Sequence, residues 1–195
     1  MPISHTNRKG ITFFLCQGET KTGKVRYYFS REPQGKTIKE IPPGYEISES
    51  VNGVVSLVKT RPRLIPPEEL ALVAEALEHH PDRDNYRVNI KHDQIVVYEG
   101  TGPNVEVILA LFGKSIPRPP EAIEQLKSQL DRYRRFSPVM RFILSDPQTR
   151  MYSAERWCYS GSIDDWIGVG NPGKLEELAR QFVPTLGTDA FFELD

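Results

Sequence analysis

The first 63 residues alternate between polar turns and short runs of β-branched or aromatic residues. ITFFLCQ (11–17) and KVRYYFS (24–30) are strand-like and are separated by the glycine-containing loop GETKTG. A second strand-like pair, GYEISES and VVSLVKTR, flanks Asn52-Gly53, which is the strongest short-range hairpin signal. The pattern predicts four antiparallel strands arranged as two hairpins, with no helix longer than about two turns.

After residue 63 the hydrophobic period changes from two residues to about 3.6. Leu70, Val73 and Leu77 recur at helical spacing behind two prolines, which suit the first turn of a helix. The same spacing predicts helices in EAIEQLKSQLDRYRRF and NPGKLEELARQFV. The residues expected to be buried on these helix faces are Leu70, Val73, Leu77, Leu126, Leu130, Leu178 and Phe182.

Strand-like segments lie between and after these helices. They are YRVNIKH, QIVVYEG, VEVILALFG, VMRFILS and RMYSAERWCYS, with AFFEL as a last short strand. Because strands and helices intermingle without a regular βαβ alternation, the sequence predicts an α+β fold. We expect a small antiparallel four-stranded β module at residues 1–65, followed by a larger α+β domain with about three helices at residues 66–195.

Charge differs in sign between these two predicted domains. Residues 1–65 contain 11 Lys or Arg and 5 Asp or Glu, a net charge of +6, whereas residues 66–195 contain 14 and 21, a net charge of −7. Such asymmetry indicates an anion-binding module joined to a different body. The same charge asymmetry is equally consistent with a basic sheet that is covered by the acidic remainder of the chain.

Composition indicates a soluble protein of the cytoplasm. Hydrophobic residues make up 38% and charged residues 26% of the chain, and no apolar run approaches the roughly 20 residues that a membrane helix needs. The polar start, MPISHTNRKG, lacks the apolar region of a signal peptide. Cys16 and Cys158 are far apart in sequence, which argues against a disulfide scaffold and favours a reducing compartment. No membrane partner is expected.

The stretch KTGKVRYYFSR, residues 21–31, combines cations with aromatic residues. Side chains alternate between the two faces of a strand, so Arg26 and Tyr28 lie opposite the more apolar Val25 and Tyr27. In many β-sheets that bind single-stranded nucleic acid, the bases stack on aromatic rings, and Lys or Arg side chains contact the phosphates. A basic hairpin can also lie in the groove of a nucleic-acid duplex. The candidate nucleic-acid-binding residues are Phe14, Lys21, Lys24, Arg26, Tyr28 and Arg31.

Two other functions fit the same sequence. The exposed aromatic residues of the hairpin could instead contact a protein partner. Asp164, Asp165 and Glu155 could hold Mg²⁺ for phosphodiester cleavage, although no lysine follows at the spacing of a common nuclease core. The adjacent His79 and His80 end a predicted helix, where capping is favoured over metal ligation.

The sequence contains no complete catalytic motif. GETKTGK has the glycine spacing of a phosphate loop, but Val25 replaces the required hydroxyl residue and a strand follows. Cys158 lies between Trp157 and Tyr159, which fits a small buried thiol as well as a nucleophile. We therefore expect a non-enzymatic binding protein without a metal or cofactor. DNA or RNA is the favoured ligand, and a protein partner is the alternative.

Overall fold

The computed structural model describes residues 1–102, 119–160 and 163–193. These residues form eleven strands in three antiparallel sheets, together with four α-helices. The predicted α+β class and the small four-stranded sheet at the N-terminus are thereby confirmed. The chain divides into two compact units, a first unit of Met1–Pro62 with Pro103–Arg134 and a second unit of Arg63–Gly102 with Arg135–Asp195.

The three predicted helices are confirmed, and a fourth short one follows them. They are α1 (Pro67–Glu78), α2 (Pro120–Tyr133), α3 (Leu175–Phe182) and α4 (Asp189–Phe192). The prediction of a final strand in AFFEL is wrong, because the N–H of Phe191 donates to the carbonyl of Thr188 and closes a helical turn. The NPGK segment belongs to a strand rather than to α3, since an edge strand tolerates the missing N–H of Pro172.

Within the described residues, the first unit contains the helix α2 and six short antiparallel strands. They are β1 (Ser4–Thr6), β2 (Thr12–Glu19), β3 (Val25–Ser30), β4 (Lys36–Thr37), β5 (Tyr45–Glu49) and β6 (Val55–Lys59). In the four-stranded sheet, β2 pairs with β3 on one edge and with β1 and β4 on the other. Both predicted hairpins are present, but β5 and β6 form a sheet of their own, and β1 and β4 complete the first sheet instead.

Three turns of the first unit repeat one hydrogen-bond pattern. They span residues 7–11, 20–24 and 50–54, and their glycines are Gly10, Gly23 and Gly53, with φ of +73°, +74° and +72°. In each turn the glycine N–H donates to the carbonyl of the first residue. The first side chain (Asn, Thr or Ser) accepts the N–H of the fifth residue at 2.9–3.1 Å. This geometry is a three-residue hairpin loop closed by a left-handed residue, a position that favours glycine.

Asn7 connects two of these turns. Its Nδ2 donates to the carbonyl of Gly53 at 2.6 Å, and its Oδ1 accepts the N–H groups of Lys9 and Ile11 at 3.0 and 2.9 Å. The side chain is almost fully buried. Asn7 therefore holds the β1–β2 turn against the β5–β6 hairpin.

The second unit contains one five-stranded antiparallel sheet. Its strands are β7 (Tyr86–Lys91), β8 (Gln94–Thr101), β9 (Arg135–Asp146), β10 (Met151–Ser160) and β11 (Ile163–Lys174), in the order β11-β10-β9-β8-β7. Helices α1 and α3 pack together and contact this sheet. A hydrophobic core fills the space between the sheet and these helices and includes Met140, Phe142 and Tyr152.

The helix faces are buried to different extents. Burial is confirmed for Val73, Leu77, Leu178 and Phe182, which all belong to the core of the second unit. In contrast, Leu70, Leu126 and Leu130 are only half-buried. The predicted strand VEVILALFG lies outside the described residues. No α-helix in the described part of the chain is long and apolar enough to cross a membrane.

Candidate nucleic-acid interface

The register of β2 and β3 determines which side chains share a face of the N-terminal sheet. Leu15 pairs with Phe29 and Gln17 with Tyr27, and directly opposed residues of antiparallel strands point to the same side. The β5–β6 hairpin covers this side, because the Tyr27 ring packs edge-on against Tyr45 with 5.9 Å between the ring centroids. Leu15 is fully buried there. This face is the small core of the first unit.

The opposite side carries most of the candidate binding residues. We call it the Phe14–Tyr28 face, and its paired residues are Phe14 with Ser30, Cys16 with Tyr28, and Gly18 with Arg26. Phe14 and Tyr28 are half-buried, Arg26 is exposed, and Cys16 is fully buried. The structure thus brings Phe14, Tyr28 and Arg26 onto one side of the hairpin.

Tyr28 leans across the neighbouring strand. A Cβ atom added at Gly18 would lie 3.3 Å from Cε1 of the Tyr28 ring, so the ring uses the space that the glycine leaves. The Tyr28 hydroxyl donates to the carbonyl of Gln34 at 3.4 Å, and the Arg26 guanidinium lies 5.9 Å from the ring centroid. The ring is therefore held at a defined place and keeps an accessible part beside a cation.

The other predicted cations follow the hairpin from its turn to its far end. Lys21 and Lys24 belong to the exposed 20–24 turn, and Arg31 follows the last residue of β3. At about 3.3 Å per residue, Arg31 is roughly 23 Å from Lys24 along the strand. Together with Arg26 these residues make four cations. All four are exposed, and none forms an ion pair with a described residue. They form a line of positive charge along the hairpin rather than a compact pocket.

Sequence reasoning missed the hydroxyl groups that β1 adds beside this face. Ser4 pairs with Phe14, and Thr6 pairs with Thr12, with 2.9 Å between the two threonine hydroxyl oxygens. Such hydroxyls commonly donate to phosphate oxygens. The turn at residues 7–11 could have revealed β1, because it has the same polar-x-x-Gly spacing as the turn at residues 20–24.

The carboxylates considered for a metal site do not converge. Glu155 Oε2 accepts a hydrogen bond from Arg141 Nε at 2.6 Å. Asp164 and Asp165 are consecutive residues of β11 and therefore point to opposite faces of the sheet. Within the described ranges, no group of three His, Cys, Asp or Glu side chains could hold a metal ion. The geometry gives a metal-dependent hydrolase no support.

The histidines and thiols have structural environments. A His79 ring nitrogen contacts the carbonyl of Glu75 at 2.8 Å, as expected for a side chain at a helix end. His80 is buried: its Nε2 donates to the carbonyl of Leu186 at 3.1 Å, and its Nδ1 accepts the N–H of Asp82 at 3.1 Å. Cys16 and Cys158 are both buried free thiols.

A polar cluster in the second unit joins α1 to the β9–β10 turn. The Glu69 carboxylate accepts hydrogen bonds from Arg150 and from the buried Tyr152 hydroxyl. Burial alone would raise the pKa of Glu69, but the hydrogen bonds from Arg150 and Tyr152 and the Arg150 charge lower it below its ordinary value. Burial and the Glu69 carboxylate raise the pKa of Tyr152. Because these groups satisfy one another, we interpret the cluster as a structural tie.

No protein-family model matches this chain, and neither a curated protein nor a solved structure matches it. The functional proposal therefore rests on the geometry and charge of the chain itself.

Proposed function

We propose that the first unit is a non-enzymatic nucleic-acid-binding module and that the β2–β3 hairpin is its contact surface. The observation that carries the proposal is the row of exposed cations, Lys21, Lys24, Arg26 and Arg31, none of which pairs with a carboxylate in the described residues. An unpaired Lys or Arg that contacts a phosphate releases condensed counterions, and this release drives binding at low salt.

The aromatic residues of the Phe14–Tyr28 face supply the second part of the proposed interaction. The opposite face is occupied by the β5–β6 hairpin, so a ligand would reach the sheet from the side of Phe14 and Tyr28. Bases of a single strand stack on such rings irrespective of sequence, while the neighbouring cations contact the backbone. The proposal therefore predicts binding with strong salt dependence and little sequence preference.

Fluorescence anisotropy with labelled single- and double-stranded DNA and RNA tests this function. Lys21→Ala and Lys24→Ala should each weaken binding to all sequences. Each should also lower the slope of log K against log salt by about 0.7–0.9, the contribution of one phosphate contact. Lys59→Ala is the matched control, because Lys59 is an exposed lysine of the same unit at the end of β6. It should leave both affinity and slope unchanged.

Tyr28→Ala separates stacking from charge. Loss of the ring should weaken single-strand binding by about 1–3 kcal/mol while the salt slope stays nearly constant. Circular dichroism must show that each variant is folded. Absence of binding by the intact chain to every oligonucleotide at low salt would rule out the function. Equal losses in Lys59→Ala and Lys24→Ala would rule out the hairpin as its site.

A further inference from the structure

The five-stranded sheet of the second unit ends in two unlike edges. The outer strand β11 contains Pro172, which has no N–H, and Gly170 in the left-handed region with φ of +62°. Prolines and irregularities of this kind protect an edge strand against pairing with another chain. The opposite outer strand, β7, runs through YRVNIK without a glycine or proline. Only β11 therefore carries a proline or a left-handed glycine, whereas β7 carries the charged residues Arg87 and Lys91, which disfavour pairing with another basic strand.

The register of the β7–β8 hairpin identifies the backbone groups that β7 leaves unpaired. Lys91 and Gln94 are paired across a two-residue loop, so this pair exchanges both of its hydrogen bonds. Alternation then directs the N–H and C=O groups of Asn89 and Arg87 toward β8, and those of Val88 and Ile90 away from the sheet. No described residue bonds these four outward groups of Val88 and Ile90.

Tyr86 ends the available edge. Its N–H donates to the carbonyl of Arg83, and its carbonyl accepts a hydrogen bond from Arg87 Nη1 at 2.7 Å. A partner strand would therefore form its backbone hydrogen bonds with Val88 and Ile90, two residues apart on one edge. This spacing is that of one full repeat of an antiparallel ladder.

A cleft of about 470 Å³ lies beside this edge, between α1 and β7. The side chains of Val88 and Ile90 are half-buried on the helix side of the sheet. The cleft has an apolar part, formed by Ala74, Leu77 and Val88, and a polar part, formed by Glu78, Arg83, Asp84, Tyr86 and Arg87. The other side of β7 carries Arg87, Asn89 and Lys91 and no acidic residue. A strand added at this edge would meet Val88, Ile90 and a partly polar cleft on the helix side, and Arg87 and Lys91 on the other side.

We propose that β7 is a docking site for an extended segment of a partner protein, which adds to the sheet as a sixth strand. The segment has alternating apolar and acidic side chains: the apolar ones oppose Val88 and Ile90, and the acidic ones oppose Arg87 and Lys91. Strand addition of this kind derives affinity from main-chain hydrogen bonds and specificity from alternate side chains. The charge pattern of β7 disfavours a second copy as occupant, because antiparallel self-pairing through Val88 and Ile90 places Arg87 opposite Lys91.

The test uses a fluorescein-labelled peptide of alternating Glu and Val, seven residues long, titrated into the full chain. We expect saturable binding that is lost when the Val N–H groups of the peptide are methylated, because methylation removes ladder donors. Val88→Pro removes an N–H that β8 does not use and should weaken binding at least about tenfold, which corresponds to 1.4 kcal/mol. Ile90→Pro is an independent variant with the same expectation, and circular dichroism checks both folds.

Charge reversal gives a readout that does not depend on loss of folding. A peptide of alternating Lys and Val should bind the wild-type chain about tenfold or more weakly than the Glu peptide, and Lys91→Glu should reduce or reverse that preference. Equal binding of both peptides, or Glu-peptide binding that both proline variants leave unchanged, would overturn the proposal. Concentration-dependent self-association that Val88→Pro abolishes would also overturn it, since the occupant would then be a second copy of this chain.

Discussion

In the second unit Phe142, Tyr152 and Phe182 are fully buried in one continuous core, whereas Leu15 and Cys16 are the only fully buried apolar side chains in the described part of the first unit. The first unit relies instead on short strands closed by hydrogen-bonded turns. Asn7 is buried among these turns and joins two of them. We therefore expect hydrophobic area to set the stability of the second unit, and specific polar contacts to set much of the stability of the first.

Removing a large core side chain should have the largest effect, and only on the second unit. Phe142→Ala should lower the free energy of unfolding by about 3–5 kcal/mol, because it removes a fully buried ring from the centre of the sheet. Fluorescence of Trp157 and Trp166 reports this loss, since both tryptophans belong to the second unit. Phe192→Ala is the control: that ring is 67% exposed, and its loss should cost within about 0.5 kcal/mol.

Removing one polar side chain should have the next largest effect, on the first unit. Asn7→Ala leaves the Gly53 carbonyl and the N–H groups of Lys9 and Ile11 without their side-chain partner. It should lower the free energy of unfolding by about 2–4 kcal/mol. Hydrogen exchange at the Leu15 amide, in the centre of the unit, measures this loss.

The equivalent change in an exposed turn provides the control for Asn7. Thr20→Ala removes the hydrogen bond to the Lys24 N–H at 3.1 Å, but water can replace it at this exposed site. We expect a loss of less than about 1 kcal/mol. Similar losses of stability in Asn7→Ala and Thr20→Ala would mean that the burial of Asn7 does not make its hydrogen bonds more important than those of an exposed turn.

The sequence predicted the strands and helices whose patterns are local. Alternation identified β2, β3 and the β5–β6 hairpin, and the 3.6-residue period identified α1 and α3. Burial followed the period where a helix packs on the large core, as at Leu178 and Phe182.

Features that depend on distant partners could not be predicted in this way. β4 contains two residues and exists because Lys36 and Thr37 pair with β2, and no pattern of two residues identifies a strand. Similarly, the sequence placed Arg26 and Tyr28 on one face, but it did not show that Gly18 leaves space for the Tyr28 ring. Register between strands decides which side chains meet, and the local sequence pattern does not fix the register of strands that no hairpin turn joins, such as β2 and β4.

Acidic pH should weaken the contribution of the Glu69 hydrogen bonds to the stability of the second unit. The pKa of Glu69 is lowered in the folded chain, so the unfolded chain takes up a proton more readily as the pH falls. Glu69→Gln should therefore lower the free energy of unfolding by about 1.5–3 kcal/mol at pH 7, the scale of a hydrogen bond to a charged group. This difference from wild type should shrink as the pH falls below about 4.3, the ordinary carboxyl value, and vanish below the lowered pKa of the folded chain.

Urea unfolding of both proteins between pH 7 and pH 2.5, followed by tryptophan fluorescence, measures this dependence. Arg180→Ala is a suitable control, because its ion pair with Glu176 on α3 is largely exposed and should contribute less than about 1 kcal/mol at any of these pH values. A difference between wild type and Glu69→Gln that stays constant down to pH 2.5 would contradict the assignment of the lowered pKa.

The smallest effect is expected at Tyr28, whose hydroxyl makes only a weak polar contact. The hydroxyl of Tyr28 lies 3.4 Å from the carbonyl of Gln34, near the long limit of a hydrogen bond, and the contact is exposed. Tyr28→Phe should therefore change stability by no more than about 0.5 kcal/mol. Because the ring remains over Gly18, the variant should also retain the affinity for single strands that Tyr28→Ala loses. A loss of 1 kcal/mol or more in Leu15 amide exchange would show that the hydroxyl, like Asn7, holds a turn in place. The ring would then be a structural element rather than a stacking surface.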